Sequence, residues 1–345
     1  MKTGAPGVLI RPRAGLQQGG LLCGKRFMAT SRIGKPLDFT DVKTWSARER
    51  GGAFDASRLA GIPDVRLPLA QFFNSLPNTR KSRELLEVAE NIVLSAANGH
   101  QNICLMDASV LELGLSPLII KMMERDLVHH VAMDGTAAAR DFETAFFGQV
   151  RDDAPKDLQE GLQGMARETG EWVNALINDG ARRGFGIGYS LGRGILDRRA
   201  AYDGYSILAN AAGLRIPLTV HVGIGADSFQ LHPSADGSLL GKGAYKDFQM
   251  FAGQVPEIHQ GGMVLDFCAT DFLSRVFLKA LNVARNLGHS VSNFLTLDLG
   301  SQTGGDPAEA PLRLATQENG RSYSFKGHAE LMLPLLFAAV QRLVR

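Results

Sequence analysis

The sequence predicts an α/β fold: one large domain built on a parallel sheet with helices on both faces. Three observations lead there. Between Thr79 and Phe147, segments of helical period alternate with short apolar runs, the order expected of a parallel sheet covered by helices. From Pro217 to Thr303, three further apolar runs are bounded by Gly, Pro and polar residues, which reads as buried strands. The 345 residues and 45% apolar content supply a full core.

The elements follow in order. Thr79 to Ala97 carries Leu85, Leu86, Val88, Ala89, Ile92 and Val93 at helical spacing, and Asn98-Gly99 ends it. Asn102–Asp107 reads as a buried strand. Ser116-Pro117 starts a helix that ends near Arg125-Asp126, since Ser caps and Pro is tolerated in a first turn. Val128–Met133 is a strand with Asp134-Gly135-Thr136 as its polar exit, and 137–147 a helix. The stretch 152–179 has one apolar stripe and reads as helical. Gly184–Gly194 holds five glycines and reads as a flexible loop, or as a phosphate cradle, because bare N–H groups approach anions closely. A helix over 200–212 precedes the strand at Leu218. Further helices cover 244–254, 267–287 and 326–345, the last with Pro334 early in it or at a kink.

Composition limits the function. Net charge is +2, which gives no pointer to nucleic acid or an anionic membrane. No apolar run approaches the length of a membrane span. Cys23, Cys104 and Cys268 are odd in number and widely spaced, which predicts a reducing compartment, the cytoplasm, and no disulfide framework. Residues 1–37 carry seven Lys and Arg and no acidic residue. They read as a basic flexible extension ahead of a domain over 38–345. A transit peptide and an upstream start codon with Met28 as the true start stay open.

The candidate site collects at strand ends, where an α/β protein places its ligand. Pro217–His221 runs into Gly223, Gly225, Asp227 and His232. Gly261-Gly262 opens a run that ends at Asp266. Phe294–Leu299 runs into Gly300-Ser301-Gln302-Thr303-Gly304. Near one another, these would make a pocket. A carboxylate such as Asp227 or Asp266 can hold a ribose hydroxyl or an amine, or can brace a turn. His232 is the best placed of the eight histidines, and Glu309 follows Asp306-Pro307. No His-x-x-x-His, Cys cluster or Gly-x-Ser-x-Gly is present, which argues against a zinc site and an α/β-hydrolase triad.

These motifs together resemble the deoxyhypusine synthase family. Pro217–Asp227, Gln260–Val264, Gly300–Ala310 and Ala329–Leu336 are similar, in order, to four family segments, and the Gly-Ser loop is the most specific. The resemblance runs from about Glu87 to the end. It implies a Rossmann-like fold, NAD as cofactor, a polyamine or related small-molecule substrate, and a homotetramer with sites between subunits. On it, Asp227, Gly261, Gly262, Ser301, Gln302, Thr303 and Gly304 would hold NAD, while His232, Asp266 and Glu309 would face the substrate. The family forms an imine on a lysine six residues after its Pro-x-Glu-Ala glutamate. Here that position is Ala315, and Arg313 and Arg140 replace an aromatic and an acidic residue. An alanine forms no imine. The chain therefore reads as an NAD-binding transferase with an altered, less cationic substrate, as a non-catalytic scaffold or regulatory paralogue, or as a synthase with a displaced lysine, Lys242 or Lys246.

Overall fold

A computed structural model describes residues 37–44, 46, 56–64, 66–149, 155–300 and 309–344. The chain divides into two compact units, 1–53 and 54–345. In the first, the described residues hold a local turn in which Asp38 accepts the N–H and hydroxyl of Thr40. The basic extension expected over 1–37 lies, apart from Leu37, outside the described residues.

The second unit carries the sheet. After the one-turn helix α1 (Leu69–Phe72) come α2 (Arg80–Ala97), β1 (Asn102–Met106), α3 (Ala108–Glu112), α4 (Ser116–Glu124), β2 (His130–Asp134) and α5 (Gly135–Phe147). Then follow α6 (Pro155–Gln159), α7 (Arg167–Arg182), α8 (Ile187–Asp197), α9 (Ile207–Leu214), β3 (Leu218–His221) and α10 (Gly237–Gln254). The chain continues through β4 (Met263–Asp266), α11 (Phe272–Asn286), β5 (Leu295–Leu299), α12 (Pro311–Ala315), β6 (Arg321–Phe325) and α13 (Ala329–Gln341). All strand pairs are parallel, in the order β3-β2-β1-β4-β5-β6. This is the doubly wound arrangement whose order reverses between β1 and β4.

Alternate strand residues feed two cores. Cys104, Met106, Val131, Met133, Met263 and Leu265 pack with helices α2, α4, α5, α7, α8 and α13. Ile103, Leu105, Ala132 and Val264 pack on the other face with Phe251, Phe277 and Phe294. The period of two along each strand makes both faces apolar, so the sheet is buried on both sides.

Two expectations need correction. The glycine-rich 184–194 stretch is mostly helix α8, and the glycines within that helix serve packing. A Cβ on Gly188 would stand 2.2 Å from the Leu218 carbonyl oxygen, and one on Gly192 2.4 Å from that of Leu208. The second correction concerns β6, which the sequence reading passed over. It is an edge strand with Arg321, Ser322 and Ser324 exposed, so its apolar content is only Tyr323 and Phe325.

Candidate functional site

Parallel strands aim their carboxyl ends at one edge of the sheet, and here that edge is acidic. Asp107 follows β1, Asp134 ends β2, Asp266 ends β4 and Asp298 lies in β5 opposite Asp266. Asp227 comes from the loop after β3. Most of these carboxylates are already occupied by their own chain. Asp107 caps α3 through Ser109 N–H (3.1 Å), while its second oxygen accepts the N–H groups of Ala269 (2.8 Å) and Thr270 (3.2 Å). It thus ties the β1 exit to the β4 exit across the point where the strand order reverses. Asp266 accepts from Cys268 N–H (2.9 Å) and from the Ser274 hydroxyl, holding the loop into α11. Burial pushes its pKa up to about 7.

Asp227 lies over Gly135 at the start of α5. It accepts from Gly223 N–H (3.2 Å), the Gln230 amide (2.8 Å) and the Thr136 hydroxyl (3.1 Å). A Cβ at Gly135 would collide with it at 2.3 Å. Burial raises its pKa against those bonds. Its arrangement is that of a turn brace between the β3 loop and α5.

Asp134 differs. One oxygen caps α5 through Ala137 N–H (2.7 Å), and the other makes no hydrogen bond among the described residues. Burial, helped by the charges of Asp107, Asp227 and Glu112, pushes its pKa up to about 7. A carboxyl with one free oxygen that titrates near neutrality is suited to hold an amine or exchange a proton. The sequence reading placed Asp134 at a strand exit without selecting it. The available signal was the Asp-Gly-Thr that caps a helix immediately after a strand.

A cavity of about 220 Å³ opens at this end of the sheet, lined by Ser109, Phe267, Ala269, Gly300, Gly327 and His328 among others. The amino terminus of α13 borders it, with no side chain capping that helix. The N–H groups of Ala329 and Glu330 at the start of this 13-residue helix favour an anion, against the Glu330 carboxylate that also lines the cavity.

The remaining candidates separate. Gly261 and Gly262 precede β4, so they stand at the amino end of the sheet, about 13 Å of strand away from the Asp266 exit. Gly262 is needed there for packing, since a Cβ would meet Ile258 Cα at 2.4 Å. His232 packs on Gly170 of α7, and its Nδ1 accepts Ser234 N–H (3.1 Å). Glu309 is exposed. Ser301, Gln302, Thr303 and Gly304 lie outside the described residues; Gly300, which leads into them, does line the cavity.

The cationic substitutions also find explanations. Arg140 faces Glu143 (3.4 Å) and Glu112 (3.8 Å), so its charge is answered within the chain and gives no argument for an anionic ligand. Ala315 is buried in the second apolar cluster, where an ammonium would be costly. Lys242 and Lys246 sit on α10, whereas Lys326 directly follows β6 and precedes the cavity residues Gly327 and His328. Among the described residues, no three His, Cys, Asp or Glu side chains are placed to hold a metal ion, and no helix is long and apolar enough to cross a membrane.

Fold and site define a doubly wound parallel α/β protein with its crevice at the carboxyl ends of the strands. No family model and no curated protein matches the chain. Among solved structures it is similar to ArgZ, an arginine dihydrolase from cyanobacteria, at 16% identity and a TM-score of 0.49, over 78% of this chain and 34% of that one. It is similar to AgrE, solved with ornithine and NAD+, at 14% identity and a TM-score of 0.49, over 77% and 34%. It is also similar to an Entamoeba histolytica protein assigned as a deoxyhypusine synthase, at 11% identity and a TM-score of 0.48, over 83% of this chain and 98% of that one. The chain spans about a third of the length of ArgZ and AgrE.

Proposed function

We propose that the carboxyl-end crevice binds a small organic amine beside Asp134 and a nicotinamide dinucleotide along the α13 terminus, in a transferase of the deoxyhypusine synthase type with an altered substrate. The observation that carries this reading is the uneven state of the carboxylates. Asp107, Asp227 and Asp266 are bonded to their own chain, and Asp134 keeps an oxygen free in an acidic surround. Such a surround concentrates a cation and repels an unpaired anion.

A dinucleotide has one constraint here. The Ala269 and Thr270 amides are engaged by Asp107, so a pyrophosphate must use other donors. Gly300, Gly327 and the first N–H groups of α13 are the residues that would hold it. When bound, NAD would supply a hydride acceptor. Asp134 would anchor the substrate ammonium and take its proton near neutral pH, and Phe267 would close the apolar side of the cavity. If an imine forms, Lys326, which directly follows β6, is a lysine to test.

Titration calorimetry with NAD, and then with spermidine in its presence, tests the reading. Binding of both, with the spermidine heat lost in Asp134→Asn, is expected; no heat from either counts against it. Borohydride trapping should label the Lys326 peptide if the covalent route operates. A second reading is favoured by the same saturated carboxylates: a non-catalytic paralogue whose polar residues became braces. On that reading neither ligand binds and Asp134→Asn changes nothing but stability.

A further inference from the structure

The second face of the sheet is covered by α10, α11 and α12, whose inner sides build the apolar cluster around Phe251, Phe277 and Leu312. The outer side of this layer is unevenly charged. Its three helices carry Lys242, Lys246, Arg275, Lys279, Arg285 and Arg313, and their one acid, Asp247, is buried. On the opposite layer the signs are mixed, as Arg80, Lys81, Glu84 and Glu87 are on α2. Arg275 is paired with Asp271 (2.6 Å), and Arg285 donates to the Val291 carbonyl (2.7 Å). The side chains of Lys242, Lys246, Lys279 and Arg313 make no hydrogen bond or ion pair among the described residues. Apolar side chains lie on the same helices. Tyr245 is 64% exposed, and Met250, Phe272, Val283 and Leu314 are 37–42% exposed.

Unpaired cations with apolar groups among them and no exposed acid on the same helices complement an acidic partner that has apolar groups of its own. Shape and extent decide which partner. A second copy meeting this face across a twofold axis would set cations against cations. A membrane or a nucleic acid would extend past the layer to Glu257, Glu309 and Glu318, exposed acids beyond the helix ends that repel it. Lipid also takes up apolar side chains about 5–10 Å deep, whereas side chains open by about two fifths lie flush with their helices. A single helix meets both limits. α10 and α11 pack side by side, each returning against the strand direction, and adjacent helices leave a groove between their ridges that another helix can fill. The 18 residues of α10 give that surface a length of about 27 Å. We propose that the outer face of α10 and α11 docks an acidic amphipathic helix of another protein. Its apolar stripe rests on Tyr245, Phe272 and Val283, and its carboxylates lie beside Lys242, Lys246 and Lys279. The surface does not depend on what the crevice binds.

The test is fluorescence anisotropy of a labelled peptide of Leu and Glu, about as long as α10, with its leucines at helical spacing, titrated with the full chain. Peptides with Lys for Glu, or with Gln for Leu, are the controls, and phosphatidylserine vesicles form a separate arm. Binding of the Leu–Glu peptide alone, weakened by added salt, is expected. Lys242→Glu combined with Lys279→Glu should weaken it by roughly tenfold or more, because attraction becomes repulsion at two positions. Tyr245→Ala should weaken it by roughly five- to thirtyfold, the effect of losing an aromatic anchor. All three positions are exposed, so these variants should unfold at the parent's urea midpoint. The proposal is overturned if the Leu–Glu peptide does not bind or if the Lys peptide binds equally. It is overturned too if the charge-reversed variant binds as well as the parent, which would place the contact on the basic residues 1–37. Vesicles that bind the parent and not the variant would make the face a membrane surface instead.

Discussion

At the scale of single residues, the acidic edge separates into braces and one free acid. Asp107 touches the backbone of a loop and a helix start, so its removal leaves three partly buried N–H donors without their acceptor. Asp107→Ala should lower unfolding free energy in urea by about 2–4 kcal/mol, combining a lost cap with unsatisfied N–H groups. Asp107→Asn, which keeps one acceptor, should lose less. Asp134 predicts the reverse pattern. Asn caps a helix as well as Asp, so Asp134→Asn should not destabilise in urea and, by removing a carboxyl that burial raises to about 7, should gain stability at pH 8, yet abolish amine binding in calorimetry. A loss of stability as large as that of Asp107→Ala would place Asp134 among the braces.

At the scale of elements, α8 tests whether glycines serve packing or ligand. Gly188→Ala would drive a methyl into the Leu218 carbonyl, backbone that cannot yield. A destabilisation of about 1–3 kcal/mol is expected from such overpacking, read as a drop in urea midpoint. Gly213→Ala, in α9 with nothing within 4 Å of the new Cβ, should instead stabilise, by about 0.4–1 kcal/mol. This element also shows what the sequence hid. Five glycines in eleven residues look like a loop, because local propensity carries no record of how near the next helix lies. Strand β6 was missed for a related reason: an edge strand with one apolar residue in two lacks the continuous run that exposed β1 and β4. The strands buried on both faces were legible, as were α2 and α5 within two residues. Gly261-Gly262 was misplaced because a motif's side of its strand decides its end of the sheet, and this one precedes β4.

For the molecule as a whole, the buried carboxyls set how stability depends on pH. Burial raises Asp134, Asp247 and Asp266 to about 7 and Asp141 to about 6, from 3.8. Between about pH 4 and 7 the folded chain therefore holds more protons at these groups than the unfolded one. Their contribution is largest in acid and is lost as pH rises through 6 and 7. His130 and His221 act oppositely. Burial lowers them to about 3 and about 4, so below 6.5 the unfolded state gains protons there and stability falls. Four carboxyls outweigh two imidazoles, so unfolding free energy should rise as pH drops from 8 to about 5, each net proton adding about 1.4 kcal/mol per unit. Asp266→Asn is a sharp test, since its amide can still accept from Cys268 N–H and can donate to the Ser274 hydroxyl. Urea unfolding of this variant should show a slope shallower by up to one proton, together with a gain in stability at pH 8. A parent chain that weakens steadily from pH 8 to pH 5 would mean that these carboxyls are ionised in the folded protein. In that event Asp134 would serve as a fixed anion for an amine, with no proton to exchange.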